Sequence, residues 1–129
     1  MAPKAQKIIS PNERGQVGRQ GEALAADFLV AEGFTIVARN WRCRFGEIDL
    51  IVARDKDIRF VEVKTRRGTG FGYPEESVSF TKRQHWFRTM ELWLQKEAPL
   101  VKRYQADVIS ILLRGTTPEI NWIQNIGDS

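Results

Sequence analysis

The sequence predicts a mixed α/β or α+β fold in which helices pack on a mixed central sheet, with the element order αβββαββ. Two segments repeat apolar residues at the spacing of about 3.6 that is typical of helices. The other segments are rich in β-branched and aromatic residues, as strands are. The second helical segment separates two strands, and a crossover of this kind joins parallel strands with a right hand.

The first helix is predicted over residues 15–32, where apolar residues recur at helical spacing and Gly33 provides the stop. The polar residues 1–13 show no period, so we expect them to form a flexible arm. Residues 14–129 then form a single domain, because domains most often contain about 100–150 residues.

Three strands are predicted next, over residues 35–41, 46–53 and 58–65. The second and third form a hairpin around the polar segment 54–57.

The second half of the chain begins with a loop predicted over residues 66–77, which are rich in glycine. A helix is predicted over residues 81–97, because Thr81 can cap it and apolar residues follow at helical spacing. Strands are predicted over residues 104–113 and 120–126, and the first of these is apolar enough to lie at the centre of the sheet.

Composition excludes several classes of protein. Apolar residues make up 42% and charged residues 28%, as in soluble globular proteins. No apolar run approaches the roughly 20 residues of a membrane span, and the N-terminus lacks the apolar segment of a secretory signal, so we expect a cytoplasmic protein without a membrane partner. Because Cys43 and His85 are the sole residues of their types, a Cys/His zinc site is excluded, and any metal must be held by oxygen.

Charged residues interrupt the apolar pattern of two predicted strands. In the first of these, alternation puts Glu47 and Asp49 on one face and Ile48 and Leu50 on the other. Burying charged groups without partners is costly, so strands that carry them usually present them at a sheet end or in a cleft.

The hairpin register decides whether Asp49 meets Glu62 and Lys64 of the following strand. Directly paired residues have a constant index sum, so an even-numbered loop, such as residues 54–57, pairs Asp49 with Glu62. An odd loop would put the two carboxylates on opposite faces. We predict the even loop, which brings Asp49, Glu62 and Lys64 together on one face.

These charges can support metal chemistry. Two carboxylates within about 5 Å repel one another unless a cation intervenes, and Mg²⁺ binds one or two carboxylates while it keeps several waters. The backbone carbonyl of Val63 can add a ligand. Lys64 can orient or deprotonate a metal-bound water, or stabilise charge on a phosphate. The alternative is a structural ion pair of Lys64 with Glu62 or Asp49.

Three segments resemble the bacterial YraN family: residues 18–22 (GRQGE), 40–51 (NWRCRFGEIDLI) and 60–66 (FVEVKTR). That family is an uncharacterised group placed in the PD-(D/E)XK nuclease superfamily and is similar to archaeal Holliday-junction resolvases. The similarity covers residues 14–126. It implies a restriction-endonuclease-like core that hydrolyses DNA phosphodiesters with Mg²⁺, or with Mn²⁺ in its place, and branched or junction DNA is a candidate substrate.

The resemblance also implies roles for individual residues. Asp49 matches the first acid of the superfamily motif, and Glu62 and Lys64 match its Glu-x-Lys element. Glu22 matches an acid that resolvase-like members contribute from the first helix. The implied metal ligands are therefore Asp49, Glu62 and Glu22, with the Val63 carbonyl, and all three acids and Lys64 are the implied catalytic residues.

Basic residues are expected to hold the DNA backbone, which positions the nucleic acid without reading its sequence. The predicted contacts are Arg42, Arg44, Arg66, Arg67 and Lys82. Glu47 is expected to bind Arg42 or Arg44. A branched substrate needs two cuts, so a homodimer would supply two sites. The rival hypothesis is a non-catalytic nucleic-acid-binding or scaffold protein that retains the nuclease fold, because a net charge of +4 permits a polyanion partner without demanding one.

The remaining candidates receive simpler interpretations. Asp107 is expected to support the end of the sheet, His85 to be a partly exposed structural residue and Cys43 to be an inert thiol. Two loop aromatics, Phe71 and Tyr73, either stack on bases or fold back onto the core.

Overall fold

A computed structural model describes most of the chain. The described residues are 11–68, 80–98, 100–101 and 103–126, without the side chains of residues 11–14 and 80–83. The elements are α1 (Pro11–Ala31), β1 (Thr35–Cys43), β2 (Gly46–Arg54), β3 (Asp57–Arg67), α2 (Phe80–Glu97), β4 (Tyr104–Leu113) and β5 (Glu119–Ile123). The predicted order αβββαββ is confirmed. Within the described residues, neither helix is long and apolar enough to cross a membrane.

Helix α1 begins earlier than predicted. It starts at Pro11 rather than near residue 15, and proline is favoured in the first turn because the N–H it lacks would have no partner there. Residues 11–13 of the expected arm are therefore helical, and residues 1–10 lie outside the described residues. Gly33, with φ of +99°, follows the end of the helix, as predicted for a residue that adopts a left-handed conformation.

The five strands form one mixed sheet in the order β1-β2-β3-β4-β5. Neighbouring strands are antiparallel except β3 and β4, which are parallel and are joined through α2. This confirms the predicted parallel crossover. Strand β5 ends at Ile123, three residues short of the predicted 126, and the backbone at Asn125 is left-handed, with φ of +59°. Of the predicted loop, residues 69–77 lie outside the described residues.

Each face of the sheet carries one helix. Ala25 and Leu29 of α1 pack on Val52 and Ile109 in one core. The opposite core is formed by α2 and the other face of the sheet. Its fully or largely buried members include Phe60, Trp86, Met90, Trp93 and Val108. The two helices therefore cover both faces of a sheet in which β4, an interior strand, has seven of its ten residues buried.

The β2–β3 hairpin has the even register that the sequence predicts. Arg54 pairs with Asp57 and Leu50 pairs with Val61, so the index sum is constant. The loop contains the two residues between Arg54 and Asp57 rather than four, because both strands extend further than predicted. An even loop of either length has the same parity, and it puts Asp49 next in register with Glu62.

Simple alternation fails at one point of β2. The sequence predicts that Ile48 and Leu50 share a face, but Ile48 packs in the α2 core and Leu50 in the α1 core. Strand β2 therefore changes its facing between these two residues, at Asp49. A carboxylate at this position lies at the boundary of the two faces instead of on a regular strand surface.

Candidate metal centre and nucleic-acid interface

Asp49 lies where the ladder between β2 and β3 stops. The paired register reaches Leu50↔Val61. Beyond it, the Val63 N–H donates a hydrogen bond of 2.8 Å to Asp49 Oδ2. A side-chain carboxylate thus replaces a strand carbonyl as the acceptor, which holds Asp49 against the backbone of β3.

The carboxyl group of Asp49 titrates far from its usual range. Burial raises its pKa to about 8, and the negative charge of Glu62 adds to the rise. The Val63 N–H opposes the rise, whereas the charges of Glu22 and Glu47 increase it further. Asp49 is therefore largely protonated at neutral pH in the metal-free protein, since deprotonation would add a buried charge beside other carboxylates.

Glu62 and Lys64 follow on β3 at alternate positions. Phe60 packs in the α2 core and Val61 in the α1 core, so alternation puts Glu62 and Lys64 on one face, the α2 side. Lys64 Nζ lies 3.3 Å from Glu62 Oε1, and both side chains are more than four-fifths buried. The ion pair considered as an alternative at the sequence level is therefore present, and it lies beside Asp49.

Glu22 is brought to this region by an unusually close helix contact. The residue before it, Gly21, is buried, and a Cβ added there would lie 1.8 Å from Thr65 Oγ1. Only glycine therefore allows α1 to approach β3 this closely, one residue beyond Lys64. The sequence signal for this contact is a glycine within a helical pattern, and it was not among the predicted features.

The chemistry of the donor set fits a hard cation such as Mg²⁺. Asp49, Glu62 and the Val63 carbonyl supply oxygen donors. A bound cation would also reduce the repulsion between Asp49 and the neighbouring carboxylates that raise its pKa. Among the described residues, no three acidic, histidine or cysteine side chains form a preassembled metal cluster. Glu22 is therefore close enough to raise the pKa of Asp49, but it does not complete a group of three acidic ligands. A cation here would be bound by two carboxylates, a backbone carbonyl and water.

The predicted DNA-contacting arginines gather at one end of the sheet. Arg42 and Arg44 flank the β1–β2 turn, and Arg66 and Arg67 end β3. Since β2 runs antiparallel to β3, the beginning of β2 and the end of β3 lie at the same end of the sheet. The side chain of Lys82 lies outside the described residues.

Two contacts organise the arginines at the β1–β2 turn. Arg42 Nε bonds Glu47 Oε2, which confirms one of the two partners expected for Glu47. Arg44 lies 4.8 Å from the centre of the Phe45 ring, and Arg88 of α2 lies 5.9 Å from the same ring. Arg88 therefore joins this basic end of the sheet through a cation–π contact, a role that sequence spacing did not indicate.

Asp107 has the structural role that the sequence suggests, in a network larger than expected. It is fully buried and accepts hydrogen bonds from Arg59, Gln105, Trp122 and the backbone of Asn125. Arg59 is itself 93% buried and also binds Asp57. The role of Arg59 was not predicted, because a charged residue on a strand carries no sign that its partner lies on another strand.

The other candidates have structural contacts. His85 is exposed, and its backbone carbonyl accepts a hydrogen bond of 2.9 Å from Thr89 Oγ1. Cys43 Sγ accepts a hydrogen bond from the Phe45 N–H. Phe71 and Tyr73 lie outside the described residues, so both interpretations of these aromatics stay open.

The fold and the acids together define a class of protein. The chain is a mixed α+β protein with a five-stranded mixed sheet and two helices, an arrangement compatible with a restriction-endonuclease-like core. The model of the family described as "Uncharacterised protein family UPF0102" matches residues 21–111. The chain belongs to this family, which is the YraN family that the sequence resembles.

Bacterial relatives support this membership over nearly the whole chain. A UPF0102 protein of Nocardia farcinica is 47% identical over 115 residues, which cover 88% of this chain and 91% of that protein. A UPF0102 protein of Caldicellulosiruptor bescii is 45% identical over 113 residues, covering 85% and 95%. A UPF0102 protein of Mycobacterium bovis is 41% identical over 120 residues, covering 88% and 94%.

Proposed function

We propose that this protein is a cytoplasmic, Mg²⁺-dependent DNA endonuclease, with Mn²⁺ as a substitute metal. The observation that carries the proposal is the environment of Asp49. Its carboxyl group lies where β2 changes face, accepts a hydrogen bond from the Val63 backbone, and is close enough to Glu62 and Glu22 for their negative charges to raise its pKa. A purely structural strand gains nothing from a buried carboxyl whose deprotonation is this unfavourable. A site that exchanges the proton for a metal ion uses the same arrangement productively.

Each residue then has a chemical task. Asp49, Glu62 and the Val63 carbonyl would hold the metal, with Glu22 acting on it at longer range. When bound, Mg²⁺ supplies charge stabilisation on the phosphate and a more acidic water. Lys64, held by Glu62 at 3.3 Å, keeps its ammonium beside the carboxylates, where it can orient the attacking water and stabilise charge on the phosphate.

The arginines would supply substrate binding. Arg42, Arg44, Arg66 and Arg67 share the end of the sheet toward which β3 leads from Lys64, so a DNA backbone held by them passes the carboxylates. Contacts of this type give affinity for phosphates without sequence specificity. Junction or branched DNA is the candidate substrate, and cutting both of its strands would use two sites in a homodimer.

Cleavage by purified protein tests the proposal. Linear, flapped and four-way DNA substrates are incubated with Mg²⁺ or Mn²⁺, and wild type is compared with Asp49→Asn and Lys64→Ala. Loss of a metal ligand or of a stabilising charge is expected to reduce cleavage by about 100-fold or more. Cleavage that survives both substitutions would come from a contaminant and would overturn the proposal.

Matched controls lie at the other end of the hairpin. Asp55→Asn and Lys56→Ala make the same chemical changes at exposed positions of the β2–β3 turn. Both variants are expected to cleave like wild type. Equal losses in these controls would show a general charge effect, which contradicts the assigned site.

The second candidate function is a non-catalytic nucleic-acid-binding scaffold, favoured by the Glu62–Lys64 ion pair, which satisfies both charges without a metal. Calorimetry with Mg²⁺ and with Mn²⁺ separates the two functions. The nuclease predicts metal binding that Asp49→Asn abolishes. No metal binding by wild type, even with DNA present, would favour the scaffold.

A further inference from the structure

A polar cleft lies beside the proposed site, between α1, the end of β3 and the β4–β5 turn. It has a volume of about 430 Å³, and its lining combines the polar Gln20, Arg67, Arg114 and Thr116 with two glycines and the apolar Leu113 and Pro118. The Gly68 N–H donates a hydrogen bond of 3.2 Å to the Leu113 carbonyl, which ties the end of β3 to the end of β4. Three separate segments therefore build this cleft, and its walls are held by backbone contacts.

The lining of the cleft suits an anion. Arg67 and Arg114 contribute guanidinium groups, and Gln20 and Thr116 contribute an amide and a hydroxyl. Among the described residues that line the cleft, none is acidic. The nearest recorded carboxylate contact is that of Glu119, whose Oε1 lies 3.1 Å from a guanidinium nitrogen of Arg114 at an exposed position.

Two glycines keep the cleft open. Gly68 and Gly115 have left-handed backbones, with φ of +84° and +64°, and among the described residues no atom beyond the adjacent ones in the chain lies within 4 Å of a Cβ added at either position. Because both residues are glycines, no side chain projects from the backbone into the cleft at these two positions. Glycine at such positions allows a ligand to approach the main chain closely.

The cleft lies close along the chain to the residues of the candidate centre. Arg67 follows Lys64 by three residues on β3, about 10 Å along an extended strand. Gln20 precedes Glu22 by two residues on α1. A distance of about 10 Å corresponds to the rise of roughly three nucleotides in one strand of a duplex. Side chains three positions apart on a strand point to opposite faces, so Arg67 lies on the α1 side of the sheet and Lys64 on the α2 side. A nucleic acid that contacts both would therefore pass around this end of the sheet.

We propose that this cleft binds a backbone phosphate of the nucleic acid, a short distance from the phosphate that lies at Lys64. The inference rests on the proposed function for the identity of the ligand and adds Arg114, Thr116 and Gln20 to the DNA interface. Arg114 is a positioning residue here, because it binds the strand away from the reacting atoms. Its exposed ion pair with Glu119 competes with the phosphate and is weak enough to be exchanged.

Binding of labelled duplex DNA tests the cleft directly. Fluorescence anisotropy is measured between 50 and 200 mM salt in the Asp49→Asn protein, so that the DNA stays intact. Arg114→Gln is expected to weaken binding by about fivefold and to reduce the slope of log K against log salt by about 0.9, the value for one lost phosphate contact. Arg103→Gln is the matched control, because Arg103 is exposed next to the opposite end of β4.

A gain of binding makes the test independent of folding damage. Glu119→Gln removes the carboxylate that competes for Arg114, so it is expected to tighten DNA binding more than Asp55→Asn, which removes the same charge at the far end of the sheet. If Arg114→Gln behaves like Arg103→Gln and Glu119→Gln behaves like Asp55→Asn, the cleft does not bind phosphate and the inference is overturned.

Cleavage kinetics separate this inference from the proposed function. Arg114→Gln is expected to raise KM severalfold and leave kcat within about twofold, as loss of binding remote from the reacting atoms should. Cleavage by wild type with no effect of Arg114→Gln on KM would retain the nuclease and reject the cleft. DNA binding that depends on Arg114, in a protein that never cleaves, would retain the cleft and reject the nuclease.

Discussion

A single carboxyl group, that of Asp49, carries an unusual electrostatic cost. Its pKa of about 8 in the folded protein lies well above the value of about 3.9 expected in an unfolded chain. Between these values the unfolded chain loses a proton that the folded protein keeps. Stability contributed by this group is therefore complete below about pH 4 and is lost as the pH rises through about 8.

Replacing Asp49 with asparagine should reveal this cost. The asparagine of Asp49→Asn cannot ionise, so at pH 8 the free energy of unfolding is expected to exceed that of wild type by at least about 1 kcal/mol. The variant should therefore unfold at a higher temperature. The difference should shrink as the pH falls toward 4. Thermal unfolding of both proteins across pH 4–9 in the absence of divalent metal checks this, with the exposed Asp55→Asn as control. A stability difference that does not change with pH would contradict the raised pKa.

The close approach of α1 to β3 depends on the lack of a side chain at Gly21. Gly21→Ala puts a methyl group where Thr65 Oγ1 already lies, so it is expected to destabilise the fold by about 1–3 kcal/mol. Gly18→Ala in the same helix is the matched control, because in the described part of the chain no atom outside the adjacent helix backbone lies within 4 Å of its added Cβ. That control should stabilise the helix by about 0.5–1 kcal/mol. Urea unfolding measures both changes, and destabilisation of the two variants by equal amounts would refute the packing argument.

At the scale of elements, the Arg59–Asp107 pair joins β3, β4 and the segment after β5. Asp107→Ala leaves Arg59 with less compensation in a buried position and removes the acceptor for Trp122 and Asn125. We expect a loss of about 3–5 kcal/mol in the free energy of unfolding. Glu119→Gln, which removes an exposed ion pair, should cost no more than about 1 kcal/mol. A small effect of Asp107→Ala in denaturant unfolding would mean that the network is dispensable.

The order and pairing of elements could be predicted from the sequence because they follow from local patterns. Alternation and turn parity gave the hairpin register, and the helical segment between two strands gave the parallel β3–β4 pair. The change of facing at Asp49 could not be predicted, because it depends on a side chain replacing a backbone acceptor. The contact of Gly21 with Thr65 and the partner of Arg59 were also missed, since both join residues far apart in the chain.

For the candidate site, spacing alone could not separate a metal centre from a structural ion pair of Lys64 with Glu62 or Asp49. The family resemblance selected Glu22, which no pattern within its helix distinguishes from a solvated residue. The structure brings its charge to Asp49. The roles of these residues in catalysis stay predictions, because they depend on a metal and a substrate.

At the scale of the whole molecule, metal binding and folding should be coupled. Mg²⁺ that binds only the folded protein raises the free energy of unfolding by about 2.7 kcal/mol at 100 times its dissociation constant. The proton on Asp49 must leave first, so the effect should grow with pH up to about 8. Thermal unfolding during Mg²⁺ titration measures it. Equal stabilisation of wild type and Asp49→Asn would show that the ion binds elsewhere.

The buried Arg59–Asp107 pair also restricts how β4 can align with β3. Strand β4 is apolar from Val108 to Leu113 except at Ser110, so sliding it by two residues would keep each of these side chains facing the same way and would bury similar hydrophobic area. That slide would carry Asp107 about 6.6 Å away from Arg59, which would keep Asp57 as a partner, and would leave the buried Asp107 carboxylate without its cation. The pair therefore destabilises misaligned sheets that hydrophobic contacts alone would permit.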